Sequence, residues 1–92
     1  MELSEFQAAI RATYGERDAE RGLARTHVWF VEECGELARA LFRQDRQRQV
    51  EEFADVLAWL TTLADMAGID MAEAAERYRD GCPKCSEAPC TC

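Results

Sequence analysis

Proline is missing from the first eighty residues of this chain: the only two, Pro83 and Pro89, lie near its end. Nothing in that long stretch obliges a helix to break. No apolar run approaches the ~18 residues needed to span a bilayer, so no membrane segment is expected. No alternating β-branched run is long enough to make a strand. Basic residues are outnumbered, 11 Lys+Arg against 18 Asp+Glu. A net charge of -7 argues against a nucleic-acid polymer as partner, because phosphate neutralisation needs a clustered basic surface. It suits a protein that gathers cations. The opening Met1-Glu2-Leu3-Ser4-Glu5 has no basic segment followed by an apolar one, so it does not read as a signal peptide. The expected compartment is the reducing cytoplasm.

What remains is rich in Ala, Leu, Glu and Arg, the composition of helices. Ninety-two residues make one domain with a marginal core, for which oligomerisation or a structural metal is the usual supplement. The fold class is therefore all-α. A first helix is expected from Ser4 to Tyr14, with Ser4 and Gln7 as a capping box and Gly15 just past its end; Glu16 to Gly22 read as a loop. A second runs from Leu23 to Arg43 with Phe30, Cys34, Leu37 and Leu41 as its apolar seam. A third runs from Arg46 to Ala67 with Val50, Phe53, Leu57, Leu60 and Ala64 as its seam. Asp70 caps a fourth, with Ile69 as a staple, ending near Asp80-Gly81. Residues 1–80 form the domain and 81–92 a cysteine-rich tail.

Two pairs of acids stand out. Glu33 and Glu36 are three apart, as are Glu52 and Asp55, so each pair shares a helix face. At ~100° per residue both pairs border the apolar seams. In an antiparallel hairpin, residues at one level share a constant index sum. The sum is the same for Glu36/Glu52, Glu33/Asp55 and Trp29/Trp59, and one less for Phe30/Leu57, Cys34/Phe53 and Leu37/Val50. A single reversal centred near Gln44 thus aligns the seams, brings four carboxylates together and sets two tryptophans level one turn away. Each acid taken singly reads as solvated surface. Four converging at a core edge repel one another unless protons or cations compensate. Basic partners could do so, but Arg39 points away from the acids' face of its helix. Mg²⁺ or Mn²⁺ suits them, since hard ions take carboxylate oxygens and keep waters for a phosphate. The di-iron sites of helical bundles need Glu-x-x-His, and the one histidine, His27, fits no such motif.

Glu32-Glu33-Cys34-Gly35-Glu36-Leu37, followed by Glu52-Phe53-Ala54-Asp55-Val56-Leu57, resembles the signature of MazG-like nucleotide pyrophosphohydrolases, all-α NTP pyrophosphatases. The resemblance covers Leu23 to Asp80. It implies a four-helix bundle built on a central antiparallel hairpin and completed by oligomerisation. It also implies cleavage of a nucleoside triphosphate between the α and β phosphates, with Glu33, Glu36, Glu52 and Asp55 as metal ligands. Glu32 matches the motif's first Glu and takes an outer-sphere or water-activating role. The family often carries a Lys and an Asn on its last helix that contact substrate. Here there is no Asn and the one Lys is Lys84; Arg77 and Arg79 are the substitutes on offer.

Trp29 and Trp59 read either as packing or as a stacking face for a base. Arg39, Arg43, Arg46 and Arg48 surround the reversal, as phosphate-steering groups or as solvated charge. Gly35, costly inside a helix, suggests close packing by another helix or a second subunit, hence a homodimer or homotetramer. Cys82, Cys85, Cys90 and Cys92 suit tetrahedral Zn²⁺, with free thiols or disulfides as the other readings. The function expected is a Mg²⁺-dependent nucleotide pyrophosphohydrolase. The alternative is a non-catalytic helical interaction module with a zinc-binding tail.

Overall fold

A computed structural model describes residues 1–43 and 45–92. Its elements are α1 (Leu3–Arg21), α2 (Leu23–Arg43), α3 (Arg46–Met66) and the short α4 (Met71–Glu76). There is no strand among the described residues.

The expected break at Gly15 does not occur. α1 runs through it to Arg21, and Gly22, with φ of 85°, makes the turn into α2 alone. Tertiary contacts decide this. Buried Asp18 accepts hydrogen bonds from Arg21 Nη1 at 3.0 Å and from Thr62 Oγ1 of α3 at 3.2 Å. The Thr62 bond fastens the last turn of α1 to α3, the Arg21 bond closes that turn on itself, and together they offset the roughly 1 kcal/mol that a mid-helix glycine costs. The capping box fails too. Ser4 lies inside the helix, and the N-cap is Glu2, whose side chain makes no capping bond. Gln7 instead donates to Ile69 O at 2.9 Å and accepts from Met71 N at 2.8 Å, tying the start of α1 to the α3–α4 turn.

α2 and α3 form the expected antiparallel hairpin. Its expected centre, Gln44, lies outside the described residues. On either side, Asp45 caps α3 by accepting from Arg48 N at 3.2 Å, and Gln49 Nε2 donates to Ala40 O at 3.2 Å. Asp70 caps α4 as expected, accepting from Ala72 N at 2.9 Å. That helix stops at Glu76, and turns carry the chain to Gly81, earlier than the expected end near Asp80-Gly81. Ile69 stays exposed, so it seals no staple.

The largest departure is in the core. The side chains buried where α1, α2 and α3 meet are Asp18, Thr26, Ala40, Glu52, Thr61 and Thr62, of which only Ala40 is apolar. The expected seams lie largely on the outside. Phe53 is 54% exposed, Cys34, Leu41, Val50, Leu57 and Leu60 are also exposed, and Phe30 and Leu37 are half-buried. Val28, Val31 and Phe42 are exposed as well, so α2 and α3 carry many outward apolar side chains. Periodicity located an apolar face correctly but could not tell burial within the chain from burial against something else.

Candidate active site

Because α2 and α3 run antiparallel with the inferred register, Glu33 of α2 meets Glu52 and Asp55 of α3. One carboxylate oxygen from each lies within 4.8 Å of the others. Glu52 is the innermost, at 6% exposure. Its Oε1 is 3.5 Å from Arg48 Nε, one turn earlier on α3. Its Oε2 is buried with no hydrogen-bond partner among the described residues, a costly state for a charged oxygen. Burial first, and then repulsion from Asp55, Glu52 and Glu36, pushes the Glu33 carboxyl above its ordinary value. The cluster therefore has more negative charge than its own residues neutralise.

Glu36 is near enough to act on Glu33, but its oxygen is turned to Arg39, whose Nη2 donates to it at 2.5 Å. The structure thus joins three of the four expected ligands and pairs the fourth with an arginine. Arg39, expected at the reversal and off the acids' face, is in fact that partner. Glu32 stands exposed beside Glu33 and outside the cluster.

The residues fit a hard divalent cation. Three carboxylate oxygens converge, one acid carries a buried orphan oxygen, and no soft donor lies among them. That donor set suits Mg²⁺ or Mn²⁺ and fills only part of an octahedron.

One turn away, Trp29 and Trp59 stack, with ring centroids 6.1 Å apart and planes 16° from parallel. The Arg21 guanidinium carbon sits 4.8 Å from the centroid of Trp59, a cation–π distance. Beside this stack is a cleft of about 270 Å³ between α1 and α3, bounded by Tyr14, Arg17, Arg21, Asp55, Trp59 and Thr62. Asp55 belongs to both the cleft and the acid cluster. None of Arg39, Arg43 and Arg77 lines the cleft. Arg43 is exposed in the last turn of α2, and Arg77 is exposed in the turn after α4. A larger cleft, about 480 Å³, lies among Ser4, Gln7, Arg11 and Asp65 and includes none of these acids.

Tyr14, Arg17, Asp18 and Arg21 escaped the sequence-based expectation, since a helix ending at Tyr14 leaves the other three in a loop. A signal was present. Phe6, Ile10, Tyr14, Arg17/Asp18 and Arg21 continue one 3–4 spacing straight through Gly15.

The four tail cysteines are also brought together, each offering its sulfur within 4.8 Å of the other three. Backbone hydrogen bonds at Thr91 and Glu87 hold the Cys85 thiol down at about 5, while the neighbouring Cys90 and Cys82 push Cys92 up.

No helix is long and apolar enough to cross a membrane among the described residues. No curated protein matches the chain. The family model for the MazG nucleotide pyrophosphohydrolase domain matches residues 21–85. That match takes in α2, α3, α4 and the first two tail cysteines, and leaves out α1 except for its last residue. With its acid-bearing hairpin inside the matched segment, the chain belongs to the MazG nucleotide pyrophosphohydrolase family.

Proposed function

We propose that this chain is a Mg²⁺- or Mn²⁺-dependent hydrolase that cleaves nucleoside triphosphates between the α and β phosphates, releasing monophosphate and pyrophosphate. One observation carries the reading: the Glu33–Glu52–Asp55 cluster, with its unpartnered Glu52 oxygen, opens through Asp55 onto a cleft walled by Trp59. Ligand pockets commonly span ~300–1,000 Å³, so this cleft takes the base and sugar and leaves the phosphates outside, over the acids.

Glu33, Glu52 and Asp55 hold the cation, with Glu36 released from Arg39 as a fourth ligand. When bound, the cation supplies neutralising charge to the phosphates and acidifies a water. Trp59 gives the base a flat face once the Arg21 guanidinium moves off it, and its contact with Trp29 fixes the orientation of that face. Arg17 and Arg21 bound the cleft on its α1 side and place positive charge beside the bound nucleotide. Arg39, freed from Glu36, adds to it. Glu32, beside the cluster, orients or deprotonates the attacking water. Arg43 and Arg77 keep only a long-range steering role.

The outward apolar surface of α2 and α3 is assigned to a second copy of this chain in a homodimer or homotetramer. A surface shared by two symmetric copies is self-complementary. A 92-residue chain with one fully buried apolar side chain among its described residues needs such a supplement.

Incubation with individual nucleoside triphosphates, Mg²⁺ and ¹⁸O-labelled water tests the reaction. Pyrophosphate with unlabelled oxygen and a labelled monophosphate is the expected outcome. Diphosphate and free phosphate would place the cleavage elsewhere. No turnover of any triphosphate with either metal would leave the non-catalytic interaction module.

A further inference from the structure

The cysteine-rich tail, residues 81–92, takes no part in the reaction above, yet it has a definite shape. Cys82 N–H donates to Glu87 O at 3.0 Å and Ser86 N–H donates to Cys82 O at 2.7 Å, closing Cys82 to Glu87 into a compact turn. Gly81 begins it with φ of 104°, and a Cβ there would lie 2.8 Å from Glu87 O, so the closure needs glycine. The turn aims Cys82 and Cys85 toward one point, and the chain then brings Cys90 and Cys92 back to it. The sulfurs of Cys82 and Cys92 are 3.8 Å apart, those of Cys85 and Cys90 3.9 Å, and those of Cys90 and Cys92 3.3 Å.

Bonded sulfurs would lie about 2.05 Å apart, and all four cysteines are free. Four thiolates each ~2.3 Å from a central zinc stand about 3.8 Å from one another, the edge of the tetrahedron. The observed separations bracket that edge. No side chain of the segment is fully buried, so no apolar core accounts for its shape.

We propose that Cys82, Cys85, Cys90 and Cys92 form a tetrathiolate zinc site. It is structural, because the protein supplies all four positions and leaves none open to a substrate. It is also chemically separate from the acid cluster: thiolates select zinc, whereas the carboxylates suit Mg²⁺ or Mn²⁺. The chain would therefore hold two metal sites that do not compete for one ion, and the tail would be ordered by its metal.

The test uses the full chain, purified with reductant and without added metal. Elemental analysis should give about one zinc per chain, as one closed tetrathiolate site requires. Exchange with Co²⁺ should produce the intense sulfur-to-cobalt bands of a tetrahedral thiolate site. Cys85→Ser and Cys90→Ser should each lose those bands and the zinc. Cys34→Ser and Glu52→Gln should keep both, which separates this site from the carboxylates whether or not the chain hydrolyses nucleotides. Reduced protein that neither carries zinc nor takes it up from solution overturns the proposal. So does zinc retained after both cysteine substitutions, or a mass showing tail disulfides in protein kept reduced.

Discussion

Glu52 is the most exacting residue of the molecule. A carboxylate this buried, with one oxygen 3.5 Å from Arg48 Nε and the other unpartnered, is unfavourable in the free chain and is relieved by a cation. The same holds in weaker form for Asp55, which is exposed. Asp55→Asn is therefore expected to lower hydrolysis at least ~100-fold, the upper end of what changes outside the ligand shell cost. Helix content should be unchanged, and metal-free thermal stability should not fall. Mg²⁺ should raise the melting temperature of the native chain and not of the variant. Full activity in Asp55→Asn removes that residue from the site.

A second residue-scale expectation concerns acid. Arg11 Nη2 donates to Asp65 Oδ1 at 2.5 Å, and that hydrogen bond holds the Asp65 carboxyl below its ordinary value. A depressed carboxyl stabilises the fold above its unfolded value, about 3.9, and that contribution fades as pH falls through the folded value. Arg11→Met should be less stable than the native chain at neutral pH, and the difference should close in acid. Carboxyl NMR should show Asp65 titrating higher in the variant. An unchanged titration would mean that Arg11 does not set it.

At the scale of elements, the two glycines at opposite ends of the α1 problem make opposite predictions. Gly15 is mid-helix, and an added Cβ would meet only Arg11 Cγ at an ordinary 3.6 Å. Gly15→Ala should stabilise by about 0.5–1 kcal/mol. Gly22 makes the whole turn between α1 and α2 at φ of 85°, so Gly22→Ala should destabilise by about 1–3 kcal/mol. Chemical denaturation of both variants checks the pair. Destabilisation by Gly15→Ala would mean that α1 is broken where the sequence first suggested.

The hairpin was legible because it depends only on helical periodicity and one reversal. Glu33 meeting Asp55, and Trp29 meeting Trp59, follow from register alone. The turning of Glu36 to Arg39 was not legible. That choice lies between a partner one turn along the same helix and a crowded site across from it, and spacing allows both. The extent of α1 was hidden because Asp18 owes its place to Thr62, 44 residues away. The tail was legible as a candidate metal site from its four cysteines, whereas its closed turn depends on backbone bonds that composition does not encode.

At the scale of the whole molecule, polar side chains fill the interior and apolar ones cover much of the outside. Asp18, Thr26, Glu52, Thr61 and Thr62 are inside, while Phe42 is 89% exposed. Sequence alone reversed these roles because it assigns apolar faces to a core by default. Light scattering at micromolar concentration should give a dimer or tetramer. Phe53→Glu, which puts a charge on the outward surface, should shift it toward monomer with α-helical content retained. A native chain that is monomeric at those concentrations would require another occupant for that surface.

The two stacked tryptophans are the only ones in the chain. All indole emission therefore originates at the contact between α2 and α3, beside the cleft. Two near-parallel indoles at 6.1 Å couple electronically and should give a paired circular-dichroism signal in the ultraviolet. The guanidinium beside Trp59 makes its emission responsive to whatever enters between them. The molecule thus has a built-in optical gauge: the coupled signal reports that the hairpin is closed, and the emission reports that the cleft is filled, with no dye attached.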